Sequence, residues 1–235
     1  MKKEQIDNIA NEIINLYEGY SPDQYNERMS YQQHLMQCVQ LAIQEGYDNE
    51  VILASFLHNI GHHGMNAGMS LDIDGFEISD PGEFGVQYLT LKEFSGKIIY
   101  FVKSYVTAKR YLSWESAEYY NKLSMEAKRN LIYQGGKMTN KEALHFEQHP
   151  LFDLIIKLSY LKEEAGLKKM QTPGISFIKE LIKDHLNGQG LSFQNFPPRV
   201  ARHSTLRKSY NDNQLKTFPF SVFNSTPACR QAGSK

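Results

Sequence analysis

Residues 51–57 are apolar apart from Ser55, and they run straight into His58, Asn59, His62 and His63. A helix that is hydrophobic all round must be enclosed by others, so this stretch belongs at the centre of a bundle rather than on its surface. Imidazoles at the dry end of such a helix need partners. A metal ion is one of the few that can satisfy several at once. His34, one helix earlier, shares a flank with Cys38 and Leu41, one and two turns on, and can face the same interior.

The surrounding chain supplies the enclosing helices. Ile6, Ile9, Ile13, Ile14 and Tyr17 recur at helical spacing, up to a stop near Gly19 and the Ser21-Pro22 break. A second helix is expected over about residues 28–45, with Leu35, Met36, Val39, Ala42 and Ile43 on its apolar stripe. The apolar helix at 51–60 follows, with Gly61 read as its C-cap. Residues 64–81 have no period and read as a long functional loop. Further helices are expected over 83–91, 95–112, 114–123, 124–134 (Ser124 as N-cap), 140–148, 151–165 and 175–186. No stretch alternates as a strand, so the fold class is all-α, a bundle of nine or ten helices. The helical domain spans 3–187. The tail, 188–235, carries seven basic residues against one acidic and half the prolines, without a sustained period. It reads as a disordered or non-native extension, or as a basic-aromatic arm that docks on a partner.

Charge narrows the function classes. Basic and acidic residues balance at 26 each, which gives no footprint for nucleic acid. No apolar run reaches the length of a membrane span, no signal-peptide core is visible, and two dissimilar cysteines exclude a disulfide scaffold. The expectation is a cytoplasmic protein without membrane or nucleic-acid partners.

As a metal site, His34 and His58 are well matched, since neighbouring helices would aim both into one core. A pair of cations also needs a bridging carboxylate, and beside His58 stands the neutral Asn59. Acids on the following loop (Asp72, Asp74, Glu77, Asp80, Glu83) show no ligand spacing. The plainer alternative is that both histidines are hydrogen-bonded core residues.

The stretches HLMQ at His34, FLHNIGH, GVQYL, YVTAKRYL, LSMEAKRNLIYQGGKM, FEQHP and TPGISFIKELI together resemble the HD-domain superfamily. Within it they are most similar to the iron-dependent phosphonate oxygenases, over about residues 25–186. The pairing of AKRYL with QGG, 25 residues from Lys109 to Gln134, is the most specific part. The resemblance implies two iron ions and six ligand positions. His34 and His58 occupy two of these. Asn59, Pro81, Tyr105 and Lys162 fall on the other four, and a lysine there would repel a cation and could fill the vacated space.

The same resemblance implies a better-kept substrate pocket. Lys109 would receive a phosphonate, with His62, Gln134 and, from a covering loop, Tyr25 and Glu27 around it; Arg110 and Tyr111 also match. The bland alternative makes Lys109-Arg110 a solvated pair at a helix end and His62 a helix cap. Three functions follow. The first is a non-catalytic protein that needs no cofactor and binds a small phosphonate or phosphate-type anion, or a protein partner. The second is an active oxygenase of a 1-hydroxyphosphonate using iron and O₂. The third is a one-metal phosphohydrolase.

Overall fold

The computed structural model describes residues 1–18, 24–26, 29–73, 76–165 and 170–188, with 24–26, 29, 73, 76 and 126 described by backbone alone. Eleven helices and two minimal hairpins are found among them, in the order α1 (Lys3–Glu18), β1 (Gln24–Asn26), β2 (Met29–Ser30), α2 (Tyr31–Gln44), α3 (Asn49–Leu57), α4 (Ile60–Asn66), β3 (Asp72–Ile73), β4 (Phe76–Glu77), α5 (Pro81–Leu91), α6 (Gly96–Glu115), α7 (Ala117–Lys122), α8 (Met125–Tyr133), α9 (Asn140–Glu147), α10 (Phe152–Glu164) and α11 (Ile175–Asn187). The all-α class holds. The strands are two antiparallel ladders, Gln24 opposite Ser30 and Asp72 opposite Glu77, too short to carry a periodic signal. No helix among the described residues is long and apolar enough to cross a membrane. The tail from residue 189 onward, Glu27 and Asp74 lie outside the described residues, as does the side chain of Tyr25.

Local chemistry sets most helix starts. Ser30 accepts from the Gln33 amide while Gln33 Oε1 accepts from the Ser30 amide, a reciprocal cap that begins α2. Thr139 and Glu142 repeat that device for α9. Asp48, Asp80, Ser95, Ser116 and Ser124 cap α3, α5, α6, α7 and α8 with their side chains. Pro81, at the first position of α5, has no amide hydrogen to leave unsatisfied there.

The centre is α3, whose residues from Val51 to Leu57 are all buried and which packs against α2, α6 and α11. Its five large apolar side chains together contribute on the order of 10 kcal/mol of transfer free energy. One expectation is overturned beside it. The helix breaks at His58-Asn59 rather than running to Ile60, and Gly61 is not its cap but the second residue of α4. A Cβ on Gly61 would lie 1.8 Å from the Pro81 carbonyl oxygen and 2.8 Å from the Gly85 amide nitrogen. The glycine is therefore required by the close approach of α4 to α5, not by a left-handed turn. The turn of chain from α3 into α4 fixes where the histidines point.

Candidate functional site

His58 closes α3, and its Nδ1 donates to the Ser55 carbonyl oxygen at 2.7 Å. That bond sets the tautomer and leaves the lone pair on Nε2, which is buried and finds no hydrogen-bond partner among the described residues. The His34 ring lies edge-on to it, centroids 6.5 Å apart, and is engaged by Cys38 Sγ 3.7 Å from Nε2 and by the Ala165 backbone. Tyr105 of α6 flanks His58 with ring centroids 5.8 Å apart. Lys162, in the last turn of α10, places Nζ 3.5 Å from the centroid of the Tyr105 ring. A cation thus stands over an aromatic face beside the two histidines.

Two cavities meet here. The first encloses about 460 Å³ counting its open mouth, and its walls include Cys38, Ala54, His58, Phe101, Leu158 and Lys162. The second, about 540 Å³ on the same count, is more polar, with Lys109, Tyr119, Ser159, Lys162 and Glu163 on its walls. Tyr105, Ser159 and Lys162 line both, so the cavities adjoin along α6 and α10.

Burial and the lysine charge set the protonation states. Desolvation pushes His34 down to about 3 and His58 well below its ordinary range, and Lys162 adds to both shifts. His62 is lowered for the same two reasons, partly offset by Asp80. Burial raises the Cys38 thiol to about 12, against the pull of Lys162. Lys162 itself is lowered by burial to about 7, with Cys38 and Glu163 opposing. Glu163 is raised by burial to about 7, opposed by its hydrogen bond with Tyr119 and by Lys162, Lys122 and Lys109.

The six positions that the resemblance implies as ligands come together unevenly. His34, His58, Tyr105 and Lys162 surround one point. Asn59 turns its amide nitrogen to donate to Tyr31 Oη, and Pro81 offers no side-chain donor, its carbonyl packed on Gly61. A shared ion would need the His34 and His58 rings almost in line, given metal–nitrogen distances of roughly 2.0–2.1 Å. No group of three His, Cys, Asp or Glu side chains among the described residues could hold a metal ion. The donor set of an amide, a proline, a phenol and an ammonium does not fit a pair of iron ions.

The expected pocket residues are similarly divided. Lys109 is half-buried in the second cavity. His62 is half-buried on α4 and feels Lys162 and Asp80, but lines neither cavity. Gln134 is the exposed C-cap of α8 and lines neither. Arg110 faces away from both and holds the turn after α8. Its Nε donates to the Gly136 carbonyl at 3.0 Å, and its Nη2 to the Gly135 carbonyl at 3.3 Å and to Glu142 at 2.7 Å. Three cavity residues carry no expectation from the sequence: Tyr119, Ser159 and Glu163. Their signal was available in the helical spacing, since Ser159, Lys162 and Glu163 share one face of α10.

Comparison with known proteins adds relatives. No protein-family profile matches the chain. It is 33% identical over 167 residues to a [1-hydroxy-2-(trimethylamino)ethyl]phosphonate dioxygenase (glycine-betaine-forming) of Leisingera caerulea, covering 71% of this chain and 84% of that protein. It is 30% identical over 164 residues to a hydroxymethylphosphonate dioxygenase of Gimesia maris, covering 69% and 81%. An uncharacterized protein of Acanthamoeba polyphaga mimivirus is 31% identical over 185 residues, covering 78% and 84%.

Proposed function

The chain belongs to the family of the phosphonate dioxygenases, and from that premise we propose that it is a non-catalytic member, in which a fixed cation has taken over the place of the metal centre and a small phosphonate or phosphate-type anion binds beside it. One observation carries this reading. Lys162 Nζ lies over Tyr105, in the cavity wall that also holds His58. Both Tyr105 and Lys162 stand where the resemblance to HD-domain oxygenases puts metal ligands. A second cation in this space opposes a divalent ion electrostatically, while together with Lys109 it favours an anion. Ser159 and Tyr119 supply hydroxyls on the same wall for the oxygens of a tetrahedral group. The protein is proposed to work in the cytoplasm.

The dioxygenase reading has its own support in the two retained histidines and in the names of the relatives. Metal analysis separates the two. Protein produced with iron supplied is expected to retain less than stoichiometric iron after dialysis. Two tightly bound equivalents would overturn the non-catalytic reading. For the anion, calorimetric titration with aminoethylphosphonate should show binding that Lys109→Ala weakens, and heat unaffected by that substitution would remove Lys109 from the site.

A further inference from the structure

The two cavities differ in chemistry, and two packed helices, α6 and α10, grade one into the other. On α6, Phe101, Tyr105 and Lys109 recur every four residues, so they form one stripe with about 6 Å between levels. Phe101 lines the first cavity, Lys109 the second, and Tyr105 both. On α10 the same order is repeated. Ile155 and Leu158 line the first cavity, Ser159 and Lys162 both, and Glu163 the second. The two stripes therefore run in the same direction, from hydrocarbon to charge. Ala54, from α3, adds to the apolar end, which Cys38 and His58 complete.

This gradient bears on what the anion can carry. A phosphonate held at Lys109 leaves its substituent to run past Tyr105 toward Phe101. A positive charge on that path would meet the Lys162 amine, which lies on the Tyr105 ring, and would then have to leave water among Ala54, Phe101 and Leu158. A hydrocarbon chain on the same path gains by leaving water. We propose that the ligand is an n-alkylphosphonate, its head in the second cavity against Lys109, Ser159 and Tyr119 and its short uncharged chain laid past Tyr105 into the first. The head rests on the anion reading given above; the chain rests on the apolar end of the two stripes.

Calorimetric titration of the full chain with methyl-, ethyl-, propyl- and butylphosphonate tests this. Full burial gives roughly fourfold in affinity per methylene, and a gain of at least about tenfold from methyl to butyl is expected. A smaller gain overturns the proposal. 2-Aminoethylphosphonate matches propylphosphonate in shape, with an ammonium in place of the methyl group, and should bind at least about threefold more weakly. A smaller difference, or tighter binding, also overturns it. Ala54→Leu, which fills the apolar end, should bring the butyl-to-methyl ratio below about threefold. Where circular dichroism shows that variant unfolded, Leu158→Trp, at a half-buried position, makes the same test. A wild-type ratio in a folded variant overturns the placement of the chain. Lys109→Ala should weaken every member of the series. If the series binds through Lys109 without the gain from methyl to butyl, the alkyl chain fails and the anion reading stands. If no member binds, or Lys109→Ala changes none, the anion reading fails and the proposal falls with it.

Discussion

Replacing Lys162 with methionine should stabilise the fold at neutral pH, and by less as the pH rises. The lysine falls from an ordinary 10.5 to about 7 on folding, chiefly through burial. At about 1.4 kcal/mol per pH unit, that gap sets a ceiling near ~5 kcal/mol for what the buried ammonium costs. The side chain is half-buried rather than sealed, the Tyr105 face returns about 1 kcal/mol, and Glu163 would shift further up without its neighbour. A net gain of about 2 kcal/mol remains, or roughly 4–8 °C in Tm for a chain of this size. The sign follows from proton counts. Below pH 7 both states hold the lysine proton and the cost is fully present. Between about 7 and 10.5 the unfolded chain binds more protons, so wild type gains stability with rising pH and the advantage of the variant closes. Glu163 runs the other way, its cost growing from 4.5 to about 7, so measurements at pH 7 and pH 10 avoid most of its change. Urea unfolding followed by circular dichroism gives both values. A variant less stable than wild type at pH 7, or an advantage of the same size at pH 10, would refute the account of a desolvated cation.

Other positions give sharper yes-or-no outcomes. Gly61→Ala should cost more than about 3 kcal/mol or prevent folding, because its methyl group meets the Pro81 carbonyl, whereas Gly174→Ser at the N-cap of α11, where φ is −74° and a Cβ would meet only Ser176 Oγ at 3.6 Å, should leave a thermal melt within a few degrees. A melt for Gly61→Ala within a few degrees of wild type would contradict the α4–α5 approach. Lys97, nearly fully buried, bonds Asp48 at 2.5 Å and lies 3.5 Å from Glu50. Lys97→Met should lower stability by about 2–3 kcal/mol, and adding Glu50→Gln should recover part of it in a double-mutant cycle. The His58 imidazole should stay neutral with its proton on Nδ1 well below pH 6.5, read from nitrogen chemical shifts. Titration near 6.5 would mean the ring is solvated rather than facing a closed wall.

Helix positions were legible because local signals set them. Ser124 and the periodic apolar residues of α1, α6 and α11 place those elements within a few residues, since caps and amphipathic faces act through neighbours in sequence. The break at His58-Asn59 was not legible for the opposite reason. Nothing local distinguishes Gly61 as a helix terminator from Gly61 as a contact surface, and only Pro81 and Gly85, some twenty residues on, decide it. The two ladders pair only two residues a side, below any periodicity.

The chemistry of single residues was legible in the sequence, and the wall they form was not. Asn59, Tyr105 and Lys162 stand out only against the ligand set that the resemblance implies, whatever the geometry. That Lys162 would lie on Tyr105 depends on α10 crossing α6, a contact between helices far apart in sequence. The resemblance makes Gln134, the first residue of QGG, a pocket residue, whereas as the C-cap of α8 it is exposed. Glu163 gave no sign of its role, since an acid beside a lysine on a helix is ordinarily a surface pair.

Arg110 has a consequence for how relationships of this kind are read. The signature on which the resemblance most rests, AKRYL followed by QGG, is made in part of a clasp: a guanidinium gripping two carbonyls and a carboxylate across a glycine turn whose Gly135 and Gly136 carry positive φ. Those residues are bound by the architecture. They would persist in a lineage after its chemistry had gone, and a name handed down through them describes ancestry. What any one descendant does has to be read from other side chains, and the proposal made above looks for it in those facing Tyr105.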